Sequence, residues 1–139
     1  MEVTTALLCD SAQIREGLLF VMAGGITRIR RTSYPANFAA AVAVVLELDS
    51  IEAQRSHEFE LVVVGEDGEE LARVAAQIQL GEAQVHFGEN IQVPLAVDLH
   101  GAVLPSAGAY ELRLYIDGNH RRTLQFWAEE TIDPDFTSP

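Results

Sequence analysis

The sequence predicts an all-β domain: an antiparallel two-sheet sandwich of immunoglobulin-like or Greek-key type, with about eight strands. Three observations carry that reading. Apolar and polar residues alternate in segment after segment, at the period of two that a half-buried strand imposes. The connections are short and punctuated by Gly24-Gly25, Asp67-Gly68 and Asp117-Gly118. No long amphipathic helix interrupts the series.

In chain order, residues 2–9 read as a first strand with Val3, Thr5 and Leu7 on one face. Residues 10–16 form a polar connection, with a helical turn expected at Ser11-Ala12-Gln13. Residues 17–23, GLLFVMA, are apolar on both faces, which predicts a central strand covered from two sides. Gly24-Gly25 then turns the chain into Ile26-Thr27-Arg28-Ile29-Arg30, completing a hairpin whose arginine-bearing strand belongs near a sheet edge. After a loop containing Pro35, residues 38–48 form the longest apolar strand. Phe38, Val42, Val44, Leu46 and Leu48 share one phase; Ala39, Ala41, Ala43 and Val45 share the other, where small side chains admit a close cover. Alanine and leucine also suit a helix, but the β-branched valines favour a strand.

Residues 50–56 form a polar loop with room for one helical turn. Segments 57–65 and 70–80 then flank Glu66-Asp67-Gly68-Glu69. Setting Phe59, Leu61 and Val63 against Ala72, Val74, Ala76 and Ile78 requires a loop of even length. Residues 91–99 alternate again, and Pro94 marks an edge or a bulge.

The strongest hairpin spans residues 107–128. Bringing Tyr110, Leu112, Leu114 and Ile116 onto one face with Leu124, Phe126 and Ala128 pairs Ile116 with Leu124, Leu114 with Phe126 and Leu112 with Ala128. That register requires a loop of three or five residues around His120. It also sets Arg113 opposite Trp127, a pair that can stack as a cation–π contact. Residues 1–128 thus form a single domain, and 129–139 an acidic tail with four carboxylates and two prolines.

With 139 residues, a single domain can bury roughly two-thirds of its unfolded surface, enough for a core without cross-links. A hydrophobic content of 48% excludes global disorder. The single cysteine, Cys9, precludes an intrachain disulfide and suits a reducing compartment. With no apolar run long enough to span a bilayer and no basic leader, the expectation is cytoplasmic residence. A net charge of −12 argues against nucleic acid or anionic membrane as partner. All nine basic residues are arginine.

The stretches LLCDSAQIREGLLFVMAGGITRI, IQVPLAVDL and PSAGAYELRLYIDGNHRRTLQFW together resemble a family of small bacterial β-sandwich proteins of unknown function. The resemblance covers nearly the whole chain and rests on turns and core phases. It implies a bacterial origin and a sandwich-like domain, and it implies no activity.

No pattern of reactive residues points to an enzyme. His57, His86, His100, His120 and Cys9 lack the paired spacing of a metal site, and no cofactor is expected. Asp10, Asp49, Asp67, Asp98 and Asp117 fall at strand ends, where loop carboxylates can hold calcium, but no Asp-x-Asp pair joins them there. Nor is there a nucleophile elbow or a phosphate-binding glycine loop, and Cys9 ends an apolar strand as a buried, inert thiol would.

What stands out is Arg28, Arg30 and Arg31 clustered in an acidic chain. They read either as a charged edge or as a dock for a carboxylate-rich partner, including the protein's own tail. With Arg113, Tyr115 and Trp127 on the outer face and Phe136 as an apolar anchor in the tail, the expectation is a protein-interaction module, self-associating or part of a larger assembly. The alternative is a small-ligand or calcium-binding sandwich.

Overall fold

A computed structural model describes residues 1–80, 86 and 88–132. Among them the fold is all-β, with one short 3-10 turn at Glu52–Gln54. The strands are β1 (Glu2–Cys9), β2 (Ser11–Arg15), β3 (Leu18–Met22), β4 (Arg28–Arg31), β5 (Ala36–Asn37) and β6 (Ala41–Leu48). They continue as β7 (His57–Val64), β8 (Glu70–Ile78), β9 (Ile91–Asp98), β10 (Val103–Leu104), β11 (Gly108–Ile116) and β12 (Asn119–Glu130).

The expected count of about eight strands is therefore too low, because twelve are formed among the described residues, in four sheets. A three-stranded sheet has the order β1-β6-β9, and a five-stranded sheet the order β4-β12-β11-β7-β8. Two-stranded pairs β2-β3 and β5-β10 complete the set. The extra strands are short segments read in the sequence as loops or turns, where few residues are available to display alternation. Nor is the pairing wholly antiparallel, since β4 runs parallel to β12.

One apolar core draws its side chains from both larger sheets. Ala6, Leu8, Val42, Val44, Leu46 and Leu48 meet Phe59, Leu61, Val63, Leu112, Leu114 and Phe126 in a single buried cluster. Phe126 anchors it: its ring lies 5.2 Å from Tyr110, stacked, and 4.9 Å from Phe38, tilted. Residues 38–48 are extended rather than helical from Ala41 onward, and their two phases divide as the sequence predicts. The alanine phase faces outward, where Ala41 and Ala43 join Cys9 in a second small cluster under Leu7, Ala12 and Leu19. Those last two side chains belong to the β2-β3 hairpin, which is the cover that the small residues admit.

A bulge in β1 explains why Val3 and Leu7 do not share a face. Pairing with β6 slips between Val3 and Thr5, so Val3 packs with the main core while Leu7 turns to the second cluster. Pro94 sits in β9, an edge strand of its sheet, where a residue without an N–H is tolerated.

Both long hairpins reach the side-chain pairing their apolar phases demand, but by bulges rather than by loop parity. At the β11-β12 turn the loop has two residues, Asp117 and Gly118, at φ +52° and +80°. Positive φ at both positions is the hairpin turn that Asp-Gly favours. A two-residue loop alone would put the return strand on the wrong face. The pairing instead slips so that Tyr115 faces His120 while Leu114 faces Arg122, leaving Arg121 as the extra residue. Beyond the bulge Leu112 faces Leu124, Tyr110 faces Phe126 and Gly108 faces Ala128. The expected odd loop and the Ile116–Leu124 register are thus incorrect, and Arg113 stands opposite Thr123, not Trp127. In β7-β8 the phases pair as predicted, Phe59 with Ala76, Leu61 with Val74 and Val63 with Ala72. There Leu71 is the extra residue, and the loop runs from 65 to 69.

Candidate functional site

The surface is organised by the hairpin that sequence reasoning placed inside. Ser11-Ala12-Gln13 forms strand β2, not a helical turn, and it pairs with β3 across Glu16 and Gly17, at φ +53° and +74°. Residues 17–23 therefore pair backward with β2, and β4 instead pairs with β12. Alternation along β2 and β3 turns Ala12, Ile14, Leu19 and Val21 toward the three-stranded sheet. Ser11, Gln13, Arg15, Leu18, Phe20 and Met22 face away. The second cover expected over residues 17–23 is missing among the described residues. Leu18, Phe20 and Met22 are 62%, 49% and 65% exposed. Ile14 and Val21 are also exposed at the hairpin's margin, so this one element holds most of the exposed large apolar side chains identified. A groove of about 420 Å³ follows Ser11, Ala12, Gln13, Phe20, Val21 and Met22.

The arginine cluster lies elsewhere, on edge strand β4. Arg28 pairs with the Glu129 carboxylate, and Arg30 Nε approaches the same group at 3.4 Å. Glu129 is part of β12, so the first residues of the expected tail continue the final strand. Hydrogen bonding to Arg28 holds the Glu129 carboxyl below its ordinary range. Arg28 also lies 5.8 Å from the Trp127 ring centroid, making the cation–π contact expected of Arg113. Arg31 serves the fold, donating to the carbonyls of Arg30 at 2.8 Å and Phe38 at 2.9 Å. Nearby, the Tyr34 hydroxyl donates to the Glu129 carbonyl at 2.9 Å, and burial pushes its phenol up.

Arg113 Nε donates to Glu111 at 3.0 Å. Arg113 and Trp127 do line one cleft of about 230 Å³, with Glu66, Glu111 and Gln125. A neighbouring cleft of about 390 Å³ opens between Glu66, Leu71, Pro105 and Tyr110. Tyr115 is separate from both and lies against His120, with ring centroids 5.4 Å apart. Phe136, together with residues 133–139, lies outside the described residues.

The loop aspartates are used locally. Asp49 Oδ1 accepts from the Glu52 amide, Asp67 Oδ1 from the Glu69 amide and Asp98 Oδ1 from the His100 amide. Among the described residues no group of three or more His, Cys, Asp or Glu side chains is placed to hold a metal ion. Cys9 is fully buried, its thiol donating to the Ala41 carbonyl at 3.4 Å, and burial pushes its pKa up. No helix among the described residues is long and apolar enough to cross a membrane.

Fold and surface together define an all-β protein whose exposed apolar side chains concentrate on one short hairpin laid over the outer face of a sheet. The chain belongs to DUF6941, a family of unknown function, whose match runs over residues 4–129. No curated protein matches it.

Proposed function

We propose that this protein is a non-catalytic interaction module, self-associating or one subunit of a larger bacterial assembly. The observation that carries this reading is the outer face of β2-β3, where Leu18, Phe20 and Met22 stand in water. Contiguous apolar area of this kind marks a surface that another body covers. Trp127 under Arg28 offers a second, smaller contact point of the sort interfaces favour. We read the three- and five-stranded sheets as the two layers of a Greek-key, immunoglobulin-like sandwich, with the hairpin as an added outer flap. We place the protein in the cytoplasm, where the free Cys9 thiol stays reduced.

The test is affinity capture from the source cells with the wild-type chain and with Phe20→Glu. Recovery of a defined polypeptide, or of the untagged chain itself, by the wild type alone supports the module. Equal recovery by both, or none by either, overturns it.

A second reading, small-ligand or calcium binding, draws on the adjoining clefts beside Glu66 and Tyr110. A rise in melting temperature with calcium or a metabolite panel supports that reading, and a flat response removes it.

A further inference from the structure

Resting on that reading, we infer that the occupant of the β2-β3 face is a second copy of this chain, docked face to face about a two-fold axis. The pattern on the face is self-complementary. In β3 the stripe Leu18, Phe20, Met22 runs beside the stripe Arg15, Gln13, Ser11 of β2, in register. A two-fold axis in the contact plane, crossing the strands at Gln13 and Phe20, sets Phe20 on Phe20 and Leu18 on the other copy's Met22. It also sets Arg15 against Ser11, with Asp10 adjoining, at both ends of the contact. Each apolar residue thus meets an apolar residue, and the one cation on the face meets a serine that the exposed Asp10 precedes in the chain.

Charge selects the same docking. At a net charge of −12, two copies repel wherever carboxylates meet. The outward positions of this hairpin hold no carboxylate, so here the copies can approach. Leu18, Phe20 and Met22 at these exposures leave on the order of 350 Å² of apolar side chain per copy. With Ser11, Gln13 and Arg15 beside them, the contact has the size of weak, reversible interfaces. The mount is firm as well: the tight Glu16-Gly17 turn fixes the register, and Ala12 and Leu19 hold the hairpin against Ala41 and Ala43. Little ordering cost is left for association.

Sedimentation velocity of the full chain, from roughly 1 to 200 µM, tests this directly. Weight-average mass is expected to climb from one chain toward two. Phe20→Glu, and independently Met22→Gln, should hold the monomer at every concentration with unchanged circular dichroism and melting. Arg15→Asp should weaken the dimer roughly tenfold, and adding Asp10→Arg should restore it. A wild-type monomer throughout, or a dimer indifferent to Phe20 and Met22, overturns the inference. If that monomer still captures a different polypeptide in a Phe20-dependent way, the second copy is excluded and the module stands. With no such capture, both fall.

Discussion

His57 and Asp117, sixty positions apart in sequence, meet with Nδ1 donating to Oδ2 at 2.7 Å. The imidazole opens β7 and is 5% exposed. Its Nε2 lies 2.6 Å from the Glu52 carbonyl, so both ring nitrogens face oxygen atoms. Asp117 also accepts from the Glu58 amide at 2.9 Å, while its own amide donates to the Glu58 carbonyl at 2.8 Å. The final turn is thereby tied to the start of β7 and to the 3-10 segment.

Replacing Asp117 separates its two duties. Asp117→Ala leaves the His57 Nδ1 proton without its acceptor and places alanine at φ +52°, a conformation that aspartate and asparagine tolerate better. It should cost about 2 kcal/mol, less whatever solvent access returns. Asp117→Asn keeps the turn and should cost about half as much. Urea unfolding of the two variants measures the difference; equal losses would mean that the charged pair, not the turn, matters.

Stability should fall in acid through the same group. Its hydrogen bond from His57, then that from the Glu58 amide, lowers the Asp117 pKa below the ordinary value of about 3.9. A depressed folded pKa contributes stability above the unfolded value and loses it as pH drops through the folded one. Glu129 has the same sign through Arg28. The urea midpoint should hold steady down to about pH 5 and decline below pH 4. Asp117→Asn should make that decline shallower.

Deleting Arg121 tests the bulge. Without the extra residue, every side chain after the turn moves to the opposite face, driving Phe126 out of the core. Loss of the folded state by circular dichroism is expected. Arg121→Ala keeps the spacing and should change stability by no more than about 0.5 kcal/mol.

Ala43→Leu should loosen the hairpin. Ala43 is fully buried beneath Ala12 and Leu19, with no room for three further carbons. Overpacking of this kind costs about 1–3 kcal/mol. Hydrogen exchange should quicken in β2 and β3 first, with β7 and β11 still protected. Uniform loss of protection would show that the flap and the core unfold as one unit.

Arg28→Ala is best read through Trp127, the single tryptophan. Uncovering the ring should increase acrylamide quenching and shift emission to the red, with little change in the melting midpoint. Arg113→Ala should leave both signals nearer the wild type, because Arg113 stands opposite Thr123.

The division of Phe38, Val42, Val44, Leu46 and Leu48 from the alanines was legible in the sequence, as was the pairing of Phe59 through Val63 with β8. Period-two alternation is a local property that any strand must display when one face is buried. The Arg28–Glu129 contact was legible only as charge, with its partner open. The His57–Asp117 pair was missed, since nothing local links them; the one available signal was a histidine at the head of an apolar strand beside an Asp-Gly turn.

By itself, then, the sequence determined which side chains face the core, because burial obliges every second residue to be apolar. Tertiary structure alone decided how the strands pair and what covers them. The bulges at Arg121 and Leu71 correct parity only once both strands lie together. GLLFVMA has the composition of a strand buried on both sides, yet it sits at the surface because β2 claims its edge and the sheet beneath needs only one of its faces.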